Sequence, residues 1–201
     1  MAGNLTLEGK NAARAIKMMK HVSSVLDKVG IPYILEAGTL LGVVRENRLL
    51  PWDNDVDFTI TKEYEDLLLK NKWRFILKGY YVRLKKYHRD MKYFKKGEPR
   101  ILRVKHLNLW KLFKKDVVLE IFIKKKIGDE YFWTVGVKDP VLKSVPETFY
   151  DNHTTILFEG KEFSVPKDYI GYLVCHYGEN WRIPVKEWDY RTSDCSVREF
   201  L

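Results

Sequence analysis

The sequence predicts an α+β fold in which helices flank a mixed β-sheet. Two patterns favour this prediction: an amphipathic helical repeat near the N-terminus, and several short alternating or continuous apolar runs typical of strands. The chain has 201 residues, of which 45% are hydrophobic and 31% charged. These proportions fit one packed domain over residues 1–201 and exclude a disordered chain.

The N-terminal elements follow in a clear order. A helix is predicted at residues 8–29, because apolar residues recur there at three- and four-residue steps and Gly30 stands where a C-cap would fall. A short buried strand at residues 31–35 precedes a short helix from Thr39, whose hydroxyl is placed to cap it. A strand with alternating polarity then covers residues 55–60.

The rest of the chain is predicted to be mainly strands. Residues 62–71 form a plausible helix after Thr61. The predicted strands lie at residues 80–85, 101–104, 117–123 and 131–135, and a hairpin lies at 154–163. The strand at 117–123 is apolar on both faces and is therefore expected at the centre of the sheet. Pro166 is expected in the first turn of the last predicted helix, which ends near residue 176.

The net charge of +9 conceals an uneven distribution. Residues 70–126 contain 20 Lys and Arg against 4 Asp and Glu, so the remainder of the chain is net acidic. A basic middle of this kind can attract phosphates, nucleic acid or an anionic membrane surface, or it can form a plain solvated face.

Composition also limits the protein class. Neither a membrane-spanning apolar stretch nor the apolar core of a secretory signal is recognisable, so a cytoplasmic protein is expected. Cys175 and Cys195 are too few for a disulfide framework or a four-cysteine zinc site.

An alternating acidic motif carries the strongest chemical signal. Asp55 and Asp57 are separated by one apolar residue, so a strand places both carboxylates on one face, and Asp53 joins them if the strand begins early. Carboxylates about 6–7 Å apart along a strand repel each other unless a cation lies between them. Because Mg²⁺ takes one or two carboxylates together with phosphate oxygens, the motif favours a Mg²⁺–phosphate site over a solvated turn.

A Gly-Thr turn precedes this motif. Gly38 and Thr39 lie between a predicted strand and a predicted helix, where free backbone N–H groups can bind an anion. Glycine also lets the backbone approach a phosphate closely. Such a turn alone is more often a plain connection, but followed by the D-x-D strand it predicts a phosphate cradle beside a metal site.

Residues 38–58, GTLLGVVRENRLLPWDNDVDF, resemble the signature of the LicD family, G-T-L-L-G-x-x-R followed by P-W-D-x-D-x-D, with every fixed position present. That family includes bacterial phosphocholine transferases and the catalytic domains of fukutin and fukutin-related protein. A looser match to the family's C-terminal pattern retains Pro166, Leu173, Tyr177, Gly178, Trp181 and Pro184. The resemblance implies a nucleotidyltransferase-like fold.

The same resemblance implies the site. A third carboxylate is expected on a later central strand, where Glu120 stands in place of the family's usual Asp and would act as a metal ligand or a general base. The implied ligands of Mg²⁺, with Mn²⁺ as an alternative, are Asp53, Asp55, Asp57 and Glu120, and the implied catalytic residues are Asp55, Asp57 and Glu120. The implied donor-binding residues are Gly38, Thr39, Arg45, Trp52 and Tyr177.

The implied activity is transfer of a phospho-alcohol group, of the phosphocholine or ribitol-phosphate type, from a CDP-activated donor to a glycan or glycolipid hydroxyl. One alternative keeps the fold but transfers a nucleotide from an NTP to a small molecule or protein. Another is a single-stranded nucleic-acid-binding module that uses the basic middle and its interleaved Tyr80, Tyr81, Tyr87, Tyr93 and Trp110. The second alternative leaves the acidic motif unexplained, so no stable nucleic-acid complex is expected.

Overall fold

Eight strands form a mixed sheet whose longest strand is shared between two halves. The computed structural model describes residues 5–106, 116–185 and 188–201. The strands of this sheet are β1 (Ile34–Leu35), β2 (Asp55–Thr61), β3 (Tyr80–Lys86), β4 (Pro99–His106), β5 (Val118–Ile127), β6 (Glu130–Val135), β7 (Val141–Pro146) and β10 (Val197–Phe200), while β8 (His153–Phe158) and β9 (Lys161–Pro166) form a separate hairpin. The helices are α1 (Gly9–Val29), α2 (Ala37–Glu46), α3 (Glu65–Asn71), α4 (Trp73–Leu77), α5 (Thr148–Asp151) and α6 (Tyr169–Tyr177), with a 3₁₀ turn at Lys62–Tyr64.

The central strand β5 connects the two halves of the sheet. Its first part pairs with β2 in parallel and with β4 in antiparallel orientation, and its last residues pair with β6. Strand β4 also pairs with β3, and β6 leads through β7 to β10. The mixed sheet and central position of this strand confirm the fold class and the role predicted for residues 117–123.

The two faces of the central strands differ in polarity. One face is apolar and buried, and its residues pack in one core with α1: Val56, Phe58, Ile60, Leu119, Ile121 and Ile123. The opposite face carries Asp55, Asp57 and Glu120. Period-two alternation therefore places the acidic residues of neighbouring strands on one side.

Two predicted helix starts are wrong. Helix α2 begins at Ala37 rather than Thr39, and the Thr39 hydroxyl accepts a hydrogen bond from the Asp57 N–H (2.9 Å) instead of capping the helix. Pro166 ends β9 rather than opening α6, because the hairpin continues to that residue. The cap of α6 is Asp168, whose carboxylate accepts from the Gly171 N–H (2.8 Å).

Other elements match the sequence more closely. Helix α1 ends as predicted at Gly30, which has a left-handed φ of 72°. The elements α4, β7, α5 and β10 have no clear periodic signal in the sequence, because each is short and held by its neighbours. Within the described ranges, no helix combines the length and the apolar character required to cross a bilayer.

Candidate functional site

The acidic face of the sheet opens into a cleft of about 480 Å³. Its lining includes the carboxylates of Asp53, Asp55, Asp57 and Glu120. Aromatic side chains from both halves of the molecule line it further: Trp52, Trp133, Tyr177, Trp181, Trp188 and Tyr190. The cleft thus combines an acidic part with an extended aromatic part.

Three of these carboxylates form a compact group. Asp57 lies directly opposite Glu120 across the parallel β2–β5 pair, and Asp55 lies two residues earlier on the same face. One oxygen from each of the three carboxylates can be chosen so that all lie within 4.8 Å of one another. The strand geometry therefore brings together the three residues predicted to be catalytic.

The protonation of the aspartates reflects their crowding. Burial raises the pKa of Asp55 to about 7, with further contributions from the charges of Asp53 and Glu120. Burial also raises the pKa of Asp57 well above its ordinary value, and Asp55 adds to the effect. When ionised, these carboxylates repel one another more strongly than carboxylates on a solvated surface, and a bound cation would reduce that repulsion.

The donor set fits a hard divalent cation. Three converging carboxylates supply oxygen ligands, which Mg²⁺ and Mn²⁺ favour, and the remaining coordination positions suit phosphate oxygens or water. The residues that would hold the ion are Asp55, Asp57 and Glu120.

Asp53 lies outside this compact group of three, although it lines the same cleft, and its role as a fourth ligand stays a prediction. It precedes β2 in a turn fixed by the bond from its own N–H to the Leu50 carbonyl (3.0 Å), so the strand alternation does not reach it. Its carboxylate instead lies against Gly38, where an added Cβ would stand 2.5 Å from Asp53 Oδ2. Any larger residue at position 38 would therefore displace the Asp53 carboxylate from this position.

Glu120 is paired with two cations. Its Oε1 accepts from Lys85 Nζ (2.9 Å) and from Arg103 Nε (2.6 Å). Burial alone would raise its pKa, but Lys85 and Arg103 outweigh burial and hold the pKa of Glu120 below its ordinary value. Glu120 therefore stays ionised and is a poor general base, which favours the role of ligand over that of base.

These cations belong to a row on the same sheet face. Arg103 lies opposite Glu120, and Arg83 lies opposite Arg103 on the next strand. Lys105 is two residues along from Arg103, and its pKa is lowered by burial and then by the charges of Arg103 and Lys85. The sheet face thus changes from acidic on β2 to basic on β3 and β4.

Thr39 fixes β2 rather than lining the cleft. Its side chain is buried and its hydroxyl is engaged by the Asp57 N–H. Glu36, just before α2, also contacts Asp57: its N–H donates to the Asp57 carbonyl (2.9 Å). Both the N–H and the carbonyl of Asp57 are therefore held by the start of α2 and its N-cap residue.

Arg45 and Trp52 lie together at the cleft. Arg45 donates to Glu46 Oε1 through Nε (3.1 Å) and to the Trp181 carbonyl through Nη1 (3.3 Å). Its guanidinium carbon is 6.0 Å from the ring centroid of Trp52, which is 55% exposed. Arg45 is thus already paired, while the exposed Trp52 offers a free face for stacking.

Tyr177 also lines the cleft, as predicted, and packs against Trp188 with ring centroids 5.1 Å apart. Burial raises the pKa of Tyr177 well above its ordinary value, and Asp194 and Asp53 contribute. Its hydroxyl is therefore neutral and available as a hydrogen-bond donor near the carboxylates.

The sequence did not reveal a buried ion pair beneath the site. Lys124 Nζ lies 3.0 Å from Glu36 Oε1 and 3.3 Å from the ring centroid of Trp133. Glu36 also accepts from Thr59 (2.7 Å) and Tyr150 (3.0 Å). In the sequence, Glu36 and Lys124 each stand at the end of an apolar run that was expected to be buried. The ion pair between them explains why a charged residue is tolerated at both positions.

A second buried cluster was also missed. Asp194 accepts from Lys143 Nζ (2.6 Å) and from His176 Nδ1 (3.2 Å), and its pKa is lowered because these two partners outweigh burial. His176 Nε2 is buried and has no hydrogen-bond partner among the residues described. His176 follows Cys175 on α6 and also lines the cleft.

Two of the aromatic residues proposed for a nucleic-acid platform are not accessible. Tyr80 and Tyr87 are buried in the interior, so their faces cannot stack on bases. Tyr81 is exposed and Tyr93 is half-buried. Trp110 lies outside the described residues.

Comparison with known proteins identifies the family. The family model described as LicD/FKTN/FKRP, nucleotidyltransferase domain, matches residues 30–168. This range contains the Gly-Thr turn, the acidic motif and Glu120, and its description agrees with the predicted fold.

Three relatives that align over most of this chain share less than a third of their aligned residues with it. The ribitol-5-phosphate transferase FKTN of Macaca fascicularis is 29% identical over 188 residues, covering 92% of this chain and 36% of the relative, and the human FKTN is 28% identical over 188 residues, with shares of 92% and 36%. This chain therefore spans about a third of the length of those relatives. The uncharacterized protein RP689 of Rickettsia prowazekii is 29% identical over 179 residues, covering 86% of this chain and 57% of the relative. Among solved structures, the lincosamide antibiotic adenylyltransferase LnuA has a TM-score of 0.47 at 11% identity, with 78% of this chain and 83% of that chain covered.

Proposed function

Because this chain belongs to the LicD/FKTN/FKRP nucleotidyltransferase-domain family, we propose that it is a divalent-metal-dependent phosphotransferase. It moves a phospho-alcohol group, of the ribitol-phosphate or phosphocholine type, from a CDP-activated donor to a hydroxyl of a glycan or glycolipid. The observation that carries this proposal is the group formed by Asp55, Asp57 and Glu120 within one cleft. The printed names of the FKTN relatives support the choice of ribitol phosphate.

The carboxylates would bind Mg²⁺ or Mn²⁺ together with the donor. When bound there, the cation would offset the negative charge of the diphosphate and polarise its phosphorus–oxygen bonds. The aspartates require such an ion because their charges otherwise repel one another, as the raised pKa values of Asp55 and Asp57 indicate.

The reaction is a displacement at phosphorus. The acceptor oxygen forms a bond to the phosphorus that carries the alcohol, the bond from this phosphorus to the bridging oxygen breaks, and CMP leaves. Asp57 is the better candidate to accept the proton of the acceptor hydroxyl, because its pKa is raised whereas that of Glu120 is lowered. Lys85 and Arg103 keep Glu120 ionised and add positive charge beside the phosphates.

The remainder of the cleft would hold the organic parts of the donor. Trp52 presents an exposed ring at the rim, and Tyr177 presents a neutral hydroxyl inside. The N-terminus of α2 lines the cleft at Ala37 and Gly38. The Ala37 N–H already donates to the Tyr172 hydroxyl (3.4 Å), so the Gly38 N–H would be the donor to a phosphate.

A donor screen read by mass spectrometry tests this proposal. The purified protein is incubated with CDP-ribitol or CDP-choline, a panel of glycan acceptors and Mg²⁺, and both products are identified. We expect release of CMP and an acceptor mass increased by one phospho-alcohol group. Pyrophosphate release from an NTP with a nucleotide added to the acceptor would instead establish the nucleotidyltransferase alternative and overturn the proposed reaction.

A further inference from the structure

A short helix presents an apolar face to solvent. Trp73, Ile76 and Leu77 of α4 are spaced by three and four residues, so they lie on one side of the helix. Leu77 is 76% exposed, Ile76 51% and Trp73 47%. The opposite side of the helix carries Phe75, which is buried in the core. We call the three exposed residues the α4 face.

This exposure is concentrated in one part of the chain. Among the residues that the structure describes, most exposed large apolar side chains outside the cleft fall within residues 67–81, namely Leu67, Trp73, Ile76, Leu77 and Tyr81. The others, Val137, Leu157 and Phe200, lie apart from one another in the sequence. Singly exposed apolar residues are common, but a helix that turns three of them outward indicates an interaction surface.

The segment that carries the α4 face is strongly basic. Between Asp66 and Asp90 the sequence has eight Lys and Arg and no acidic residue. Lys70, Lys72 and Lys78 flank the face, are exposed, and form no ion pair with any residue that the structure describes. Their flexible stems can reach toward an anionic surface while the apolar side chains enter it.

We propose that the α4 face binds the surface of a bilayer that contains anionic phospholipid. Trp73, Ile76 and Leu77 insert at the level of the head groups, and the surrounding lysines pair with lipid phosphates. An outward apolar stripe within a basic segment has the composition of an interfacial helix, and an aromatic ring such as that of Trp73 is favoured at this depth. The lipid surface is favoured over a second copy of this chain because two copies would bring these lysines against each other.

The proposal concerns binding and is independent of the proposed transferase reaction. It is tested by co-sedimentation of the full chain with vesicles of phosphatidylcholine alone or with phosphatidylglycerol added. We expect binding to the mixed vesicles, little binding to neutral ones, and strong weakening as NaCl rises from 0.1 to 0.5 M, where the screening length falls well below about 10 Å.

Matched variants separate insertion from plain charge attraction. Leu77→Asp is expected to reduce partition to the anionic vesicles by about tenfold or more, because a carboxylate at this depth opposes both contributions. Leu157→Asp makes the same change at an exposed leucine of β8 and is expected to bind like the wild type. Circular dichroism of both variants checks the fold.

Three outcomes would overturn the proposal. These are equal binding of Leu77→Asp and wild type, equal loss in Leu77→Asp and Leu157→Asp, and absence of wild-type binding to anionic vesicles. In the third case, self-association in analytical ultracentrifugation that Leu77→Asp abolishes would assign the α4 face to contact between copies.

Discussion

At the residue scale, the acidic group is arranged for ligand binding at the expense of stability. Asp55 and Asp57 are half-buried neighbours on β2, and within the described residues neither forms an ion pair like those that join Glu120 to Lys85 and Arg103. Charging such carboxyls in the folded state is unfavourable. The repulsion between these carboxylates therefore destabilises the folded state, and a bound cation would offset it.

The variant Asp57→Asn tests this interpretation. A carboxyl with a raised folded-state pKa contributes stability while protonated and loses it as pH rises through that pKa. We therefore expect Asp57→Asn to raise the free energy of unfolding of the metal-free protein by about 1–3 kcal/mol at pH 8, and to lower turnover by about a thousandfold. Urea unfolding and a turnover assay measure the two effects, and retention of wild-type turnover would contradict the site assignment.

Metal binding should also displace protons. Because the pKa of Asp55 is about 7, this carboxyl is largely protonated at pH 6 and largely ionised at pH 8. We expect Mg²⁺ affinity to fall by about tenfold per pH unit below 7 for each proton released. Calorimetric titration of Mg²⁺ in two buffers of different ionisation enthalpy counts the protons. Equal affinity at pH 6 and pH 8 without proton release would show that Asp55 does not bind the ion.

At the element scale, the start of α2 holds the strand that carries the site. The Thr39 hydroxyl accepts the Asp57 N–H, and a strand amide without a partner in this buried setting is costly. We expect Thr39→Val to lower the free energy of unfolding by about 1–3 kcal/mol and to weaken Mg²⁺-dependent CDP binding.

Thr39→Ser is the matched control, since it keeps the hydroxyl and removes only a methyl group. It should bind CDP like the wild type in the same calorimetric titration. Equal weakening in the Ser and Val variants would indicate a packing role for the methyl group rather than the hydrogen bond.

Sequence patterns predicted side-chain directions within elements better than they predicted where the elements end. Alternation along β2 predicted that Asp55 and Asp57 share a face, because strand geometry has a period of two residues. It does not extend to Asp53, because β2 begins at Asp55 and Asp53 lies in the turn at Leu50. The helix start predicted from Pro166 is wrong because the hairpin keeps this residue in a strand. Local patterns fix the direction of side chains within an element but do not locate the ends of that element.

At the scale of the whole molecule, buried charges connect elements that are distant in the chain. Lys124 lies on β5, Glu36 precedes α2, and Tyr150 belongs to α5, yet their polar groups meet beneath the cleft. Pairing over such separations has no signature in a single sequence. For the same reason the cluster of Lys143, His176 and Asp194 could be recognised only after folding.

Lys124→Met tests the contribution of this network. Removal of the ammonium leaves Glu36 buried without its charge partner, and we expect a loss of about 3–5 kcal/mol in the free energy of unfolding, measured with urea. The double variant Lys124→Met/Glu36→Gln removes both charges and should recover part of that loss. If Lys124→Met is as stable as the wild type, the ion pair between Lys124 and Glu36 does not stabilise the contact between β5 and the start of α2.

The fold explains where much of the excess positive charge of the chain lies. The basic residues of β3 and β4 adjoin the acidic group on one sheet face, so the excess positive charge lies where an anionic donor would bind. The net charge alone could not distinguish this arrangement from a nucleic-acid surface, whereas the burial of Tyr80 and Tyr87 argues against the latter.

The most direct test of the central claim is the anomalous diffraction of a crystal grown with Mn²⁺ and CDP. We expect an anomalous peak between the carboxylates of Asp55, Asp57 and Glu120, in contact with a phosphate oxygen of the nucleotide. Ordered CDP in the cleft without a Mn²⁺ peak at these three residues would contradict the account.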